Sequence, residues 1–296
     1  MKLLRSMLCL ALAGLLCAGC APKLPPPTTP PTLAATEPTE PVTEPIVTEP
    51  TATQPPVTEP ELPSILDFLR IAAEPVGSTM YIWGGGWNEE DTGAGIEAVT
   101  LGVSPQWAQF AAPQDGDYNY KDHRYQIHDG LDCSGYVGWA VYNVLETENG
   151  RPGYVCASTK MAQQLADRGL GTYIPVDELE EWLPGDIMSM KGHVWISLGV
   201  CADGSVLMVH ASPPGVIFCG TALPDGGESE AVRLAQQIME KHYPDWYAKF
   251  PRCDRPYSYL EKSSAMRWSV LSDEECIREM SAENVVEAIF GREDKL

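Results

Sequence analysis

Between Ala21 and Pro63 almost every residue is proline, threonine, glutamate or a small apolar residue, and Thr-Glu-Pro recurs at positions 36, 39, 43, 48 and 58. Proline holds the backbone extended and removes donors, while the glutamates repel one another, so this tract cannot assemble a core. It reads as a disordered, semi-rigid linker over residues 20–63, rising roughly 3 Å per residue and reaching over about 100 Å. The fold therefore has to come from residues 64–296, which are enough for one domain with a sizeable core.

The linker is preceded by Lys2 and Arg5 and an apolar run from Leu8 to Leu16, too short to span a bilayer and shaped like a secretory signal. The run ends in Cys17-Ala18-Gly19-Cys20, which resembles a bacterial lipobox, with Leu16 one place earlier than the usual leucine. The expectation is a leader over residues 1–19, lipidation at Cys20, and an exported protein held at the membrane surface by its N-terminal lipid anchor. A formal net charge of -21 excludes a nucleic-acid partner, because phosphate binding needs clustered Lys and Arg.

Within the domain the patterns are readable in places. Ser64 can cap a helix in which Ile65, Leu66, Phe68, Leu69 and Ala72 recur at helical spacing, ending before Pro75. Tyr81-Ile82-Trp83 is a short apolar piece followed by Gly84-Gly85-Gly86, a tight loop. Residues 87–131 lack periodicity and are expected to be mostly loop. Cys133 then heads a helical repeat carried by Val137, Ala140, Val141, Val144 and Leu145, and a second, short helix is expected over Ser158 to Arg168. Strands are expected over Ile187–Met190, His193–Val200, Val206–Ala211 and Gly215–Gly220, with a hairpin at Asp203-Gly204. Glu228–His242 is an amphipathic helix, Met266–Val270 a further strand, and Ser272 with Glu275 a capping-box pattern for terminal helices. The sum is an α+β domain with helices packed on a central antiparallel sheet.

A cysteine attacks carbonyl groups as its thiolate, whereas an unperturbed thiol, with a pKa of roughly 8.5, is mostly protonated near neutrality. Two aids are written into this chain. A helix N-terminus stabilises the anion at Cys133, and a strand histidine can take its proton. Asp132-Cys133-Ser134-Gly135, Gly192-His193-Val194 and Val209-His210-Ala211, with Tyr81-Ile82-Trp83-Gly84-Gly85 upstream and Pro184-Gly185-Asp186 before the histidine strand, resemble in order the motifs of the NlpC-type cell-wall cysteine peptidases. The resemblance covers about residues 75–220.

That resemblance implies a papain-like fold, with Cys133 as nucleophile, His193 as general base and His210 as the residue orienting the imidazole. It also implies that Tyr81, Asp132 and Ser134 bind a substrate amine or the oxyanion, beside the Cys133 backbone N–H. Trp83 and Trp195 are further candidates for substrate binding. Trp195 stands where relatives commonly carry a small residue, on the same side of its strand as His193, and would narrow the pocket.

The implied activity is cleavage of an amide in the peptidoglycan stem peptide, between D-glutamate and a diamino acid, through a thioester. The alternatives are a peptidoglycan amidase or acyltransferase using the same triad, and a non-catalytic wall-binding lipoprotein. The insertion at 87–131 and a helical C-terminal extension depart from the family and leave the substrate open. Trp87, Trp107, Tyr118, Tyr120, Tyr125, His123 and His128 in the insertion could wall a peptide or sugar groove, or pack into the core. No metal or other cofactor is expected, since no paired Cys-x-x-Cys or His-x-x-x-His ligand set occurs. Cys133 must be free, so Cys156, Cys201, Cys219, Cys253 and Cys276 cannot all pair within the chain, and buried thiols are the simplest account of most of them. A monomer is expected.

Overall fold

The computed structural model describes residues 62–146, 149 and 151–291. The leader at 1–19, Cys20 and the linker as far as residue 61 lie outside the described residues. The described chain forms helices α1 (Ile65–Ala73), α2 (Pro105–Ala111), α3 (Cys133–Leu145), α4 (Met161–Asp167), α5 (Glu230–His242), α6 (Pro244–Lys249), α7 (Ser258–Lys262) and α8 (Ala282–Phe290). Its strands are β1 (Met80–Tyr81), β2 (Gly130–Leu131), β3 (Gly171–Ile174), β4 (Ile187–Met190), β5 (His193–Val200), β6 (Val206–Ser212), β7 (Gly215–Thr221), β8 (Asp254–Arg255) and β9 (Ser264–Trp268).

These strands make one curled sheet in the order β2-β1-β7-β6-β5-β4-β9-β3, with β8 added beside β7. Seven of the sheet's nine strands pair antiparallel to a neighbour; β1 and β2 run parallel, as do β7 and β8. The fold is α+β.

The first helix forms as its pattern predicts. The Ser64 hydroxyl accepts from the Asp67 N–H while the Asp67 carboxylate accepts from the Ser64 N–H, a reciprocal cap. Its buried face, with Ile65, Phe68 and Leu69, packs with Trp268 of β9 edge-on to Phe68 at 5.0 Å. Helix α3 is buried along nearly all its length, from Cys133 to Val144, and therefore serves as the central helix of the layer above the sheet. On β7, Gly220 has no side chain because a Cβ there would meet the backbone of Ala231 and Val232, so the absence of one lets α5 seat against the strand.

Several expectations give way to tertiary context. The stretch at 87–131 contains α2, started by Ser104 as cap and Pro105 in the first turn, a local signal that its short length and mixed polarity hide. Over Ser158 to Lys160 the chain makes a 3₁₀ turn, and the α-helix begins at Met161. Ser272 caps no helix. Its backbone pairs with that of Pro63 and Ile65, which ties the domain's two ends together, and α8 starts after Ser281 instead. Strand β3, β8 and helices α6 and α7 have too few residues to show a period.

The Pro184-Gly185-Asp186 turn is fixed by a carboxylate. Asp186, 1% exposed, accepts from the N–H of Leu183 at 3.1 Å and from Arg267 of β9 at 2.7 and 3.0 Å. The same turn bonds to β5, with the Gly185 N–H donating to the Ser197 carbonyl and the Ser197 N–H to the Asp186 carbonyl. The motif thus clamps the C-terminal strand to the histidine strand. Removing one partner of a buried pair leaves the other charge uncompensated, so Asp186→Ala is expected to cost about 3–5 kcal/mol in denaturant unfolding. A loss under about 1 kcal/mol would show that Arg267 finds solvent easily.

Candidate active site

Cys133 is the first residue of α3, and Asp132 is its cap. The Asp132 Oδ1 accepts from the Gly135 N–H at 2.7 Å and the Ser134 hydroxyl at 2.9 Å, and Oδ2 accepts from the Gly84 N–H at 3.3 Å. The Trp87 indole donates to the Ser134 oxygen at 3.1 Å. Asp132 also sends its own N–H to the Gly85 carbonyl at 3.0 Å. The glycine run is there for contact as well as turning. Gly84 and Gly86 have φ of 90° and 86°, and a Cβ on Gly135 would strike the Gly85 carbonyl. Asp-Cys-Ser-Gly and Trp-Gly-Gly are therefore two halves of one interlocked corner.

The Cys133 thiol is approached by the backbone N–H of Val194 and by the Ser158 hydroxyl. Val194 directly follows His193 at the start of β5, so the head of the helix and the head of the histidine strand meet at the sulfur. His193 in turn shares a hydrogen bond from Nε2 to Nδ1 of His210 at 2.8 Å, with the rings at 77°. Nδ1 of His193 is left over for a proton acceptor's role if Nε2 carries the hydrogen. The Cys133 backbone N–H lies in the first turn, where the helix supplies no acceptor.

The site is desolvated. Burial, aided by the Asp132 charge, pushes the Cys133 thiol up to about 12, against the Val194 and Ser134 N–H groups and the Ser158 hydroxyl. Burial pushes His193 down to about 3, with the Arg255 cation adding to it, and holds His210 well below the ordinary range. Burial likewise raises Asp132 to about 6, offset by the hydrogen bonds from Gly135, Ser134 and Gly84. At neutral pH the pair accordingly rests as thiol and neutral imidazole.

The expected substrate-facing residues divide. Tyr81 is buried beside the sulfur, its ring edge-on to Tyr120 at 5.5 Å, and the Cys133 and Asp132 charges add to burial in raising its phenol. Trp83 is 47% exposed, with the Arg124 guanidinium 5.7 Å from its ring centroid. Trp195 is 0% exposed and donates to the Ser263 hydroxyl at 3.1 Å. The residue expected on the pocket wall thus stands in the interior, its indole held by a buried serine.

The insertion splits in the same way. Trp107 joins the core edge-on to Trp139 at 5.9 Å, and His123 stacks on Tyr118 at 5.3 Å. Tyr125 stays exposed beside a cleft of about 510 Å³ lined by Gly84, Trp87, Glu89, Asp91 and Asp129. Because the Gly84 N–H and the Trp87 indole hold Asp132 and Ser134, this cleft shares a wall with the cysteine corner. His128 pairs with Glu97. The described cysteines, Cys133 included, carry free thiols.

Ser158, Arg255 and Tyr259 were not visible as site residues from sequence. Ser158 reads only as a helix start, and the other two lie beyond the resembling stretch. Tyr259 of α7 packs its ring edge-on to His193 at 5.5 Å. A scan against protein-family models and searches of curated proteins and of solved structures found no match.

The charge of Asp132 opposes ionisation of the thiol only once the carboxyl is itself ionised, above about pH 6. Asp132→Asn is therefore expected to speed iodoacetamide labelling of Cys133 at pH 7 to 9 and to change little below pH 5. Peptide-resolved mass spectrometry against pH checks this; a rate unchanged across the whole range would remove Asp132 from the thiol's electrostatics.

Proposed function

We propose that the chain is a cysteine hydrolase of the NlpC type, with a papain-like arrangement, that cuts an amide in peptidoglycan stem peptides. The observation that carries the reading is the meeting of the Cys133 thiol with the residue next to His193, while His193 is itself bonded to His210. A buried cysteine with a purely structural role needs none of these partners.

In this reading His193 Nδ1 takes the thiol proton as sulfur attacks the scissile carbonyl. The oxyanion is met by the Cys133 N–H and polar neighbours of the corner. Collapse breaks the C–N bond, the imidazolium returns its proton to the departing amine, and a thioester remains. Water then attacks, giving its proton to His193, and the thiolate leaves and is reprotonated. His210 keeps the imidazole oriented through both halves. Lipidation at Cys20 would hold the enzyme at the membrane while the linker carries the domain into the wall.

An amidase or an acyltransferase would share the first half-reaction and differ in the bond cut or in the acceptor, and a wall-binding lipoprotein would lack it. Digestion of purified peptidoglycan followed by mass spectrometry separates them. The parent is expected to release peptides ending at D-glutamate, Cys133→Ala to release none, and His193→Ala to slow release about 10²–10⁴-fold. Release by Cys133→Ala at the parental rate would end the hydrolase reading. Wall binding by both proteins with cleavage by neither would favour the binding module.

A further inference from the structure

The sheet face that carries both imidazoles is covered by chain that follows Thr221, outside the stretch of family resemblance. Register fixes which groups share that face. His210 pairs with Ile217 on β7, and two-residue alternation puts Cys219 and Thr221 on the same side. Thr221 pairs in parallel with Arg255, which therefore also projects from that side. On β5, Ile196 pairs with Val209, so Trp195 and His193 fall on the His210 side.

Tyr259 stands over the pair, and Arg255 shares its sheet face. The Tyr259 ring is edge-on to His193 at 5.5 Å and to His210 at 6.4 Å, and tilted on Trp195 at 6.3 Å. Its hydroxyl lies within the influence of the Arg255 side chain. Arg255 is 8% exposed, its Nη1 donates to the Asp254 carbonyl at 2.6 Å, and its Nε has no partner. It forms no ion pair among the described residues, and the adjacent Asp254 carboxylate is engaged by Arg252 at 2.9 Å. A buried guanidinium so poorly paired is costly, and an apolar side chain would fill the space at lower cost.

We propose that Arg255 and Tyr259 are positioning residues for the His193–His210 pair: the tyrosine ring holds the imidazoles in their mutual hydrogen bond, and the guanidinium sets the charge against which His193 accepts the thiol proton. This rests on the cysteine-hydrolase reading. The groups facing the pair are Cys133 and Asp132 at the head of α3, Cys219 on β7, Tyr259 on α7 and Arg255 on β8. Of these only Arg255 is a cation, and its field opposes protonation of both histidines. The thiol consequently keeps its proton until an acyl carbonyl is in place to take the sulfur electrons.

The test uses the full chain and two readouts, the pH titration of the His193 ring by NMR and the iodoacetamide labelling of Cys133 resolved by peptide mass spectrometry. Arg255→Met is expected to raise the pH at which His193 protonates by about one unit or more and to speed labelling at pH 7 about tenfold. Arg255→Lys is expected to restore both. Tyr259→Leu is expected to slow labelling at least about fivefold with folding retained. An unmoved His193 titration in folded Arg255→Met, or in Arg255→Gln should the methionine variant not fold, overturns the role of the guanidinium. So does failure of both neutral variants to fold, which would make the cation structural. Unchanged labelling in Tyr259→Leu overturns the role of the ring, as does its failure to fold. Neither readout requires turnover. A shifted titration without wall digestion by the parent counts against the substrate reading alone, and normal digestion with an unmoved titration counts against the positioning role alone.

Discussion

The approach of the Gly85 carbonyl to Gly135, closer than any side chain would allow, determines how the first turn of α3 can sit. With that contact made, the Gly84 and Asp132 backbones are near enough for Asp132 to cap the helix and bond the loop with the same carboxylate. Ser134 is then caught between Asp132 and Trp87. Three residues around the cysteine are thereby locked, and the sulfur has one place to go, toward the start of β5. A Cβ at Gly135 would push the loop away and loosen the cap, the serine and the thiol's environment together, which is why a glycine follows Cys-Ser here.

Electrostatically the site is built to stay uncharged at rest. Burial disfavours both a thiolate and an imidazolium, and the Asp132 charge opposes the first while the Arg255 charge opposes the second. Two opposite unit charges about 4 Å apart attract by about 4 kcal/mol in an effective dielectric of about 20. That offsets only part of the desolvation, so the uncharged pair is the resting state. A buried, protonated thiol is also a poor target for adventitious oxidation, since reactivity follows thiolate character.

How much of this was legible in the sequence depended on the range of the interaction. Helix α1 has its period, its cap and its proline stop within ten residues, and strands β4 to β7 have apolar runs bounded by turn signals, so their bounds emerge nearly unchanged. Cys133, His193 and His210 stood out through ordered motifs. The pairing of His193 with His210 follows from two antiparallel strands that a short hairpin must bring side by side. For Trp195, strand alternation gives a face and not an exposure: the side shared with His193 is roofed by α7, and only the structure shows the roof. Ser272 carried a capping pattern, but its backbone is used to close the two ends of the domain, a long-range pairing that overrides the local one.

That roof changes what counts as the functional domain. The stretch resembling a known family stops near Gly220, yet Asp186 in its Pro-Gly-Asp turn is neutralised by Arg267, and Trp195 is held by Ser263. Both partners lie in the C-terminal extension. Truncating the chain at Gly220 would leave a buried carboxylate without its cation, open one face of β5 to water and remove the ring packed on His193. The imidazoles would regain hydration and drift toward their ordinary titration range. The extension is therefore continuous with the candidate site in a physical sense: it sets the dielectric around the two imidazoles.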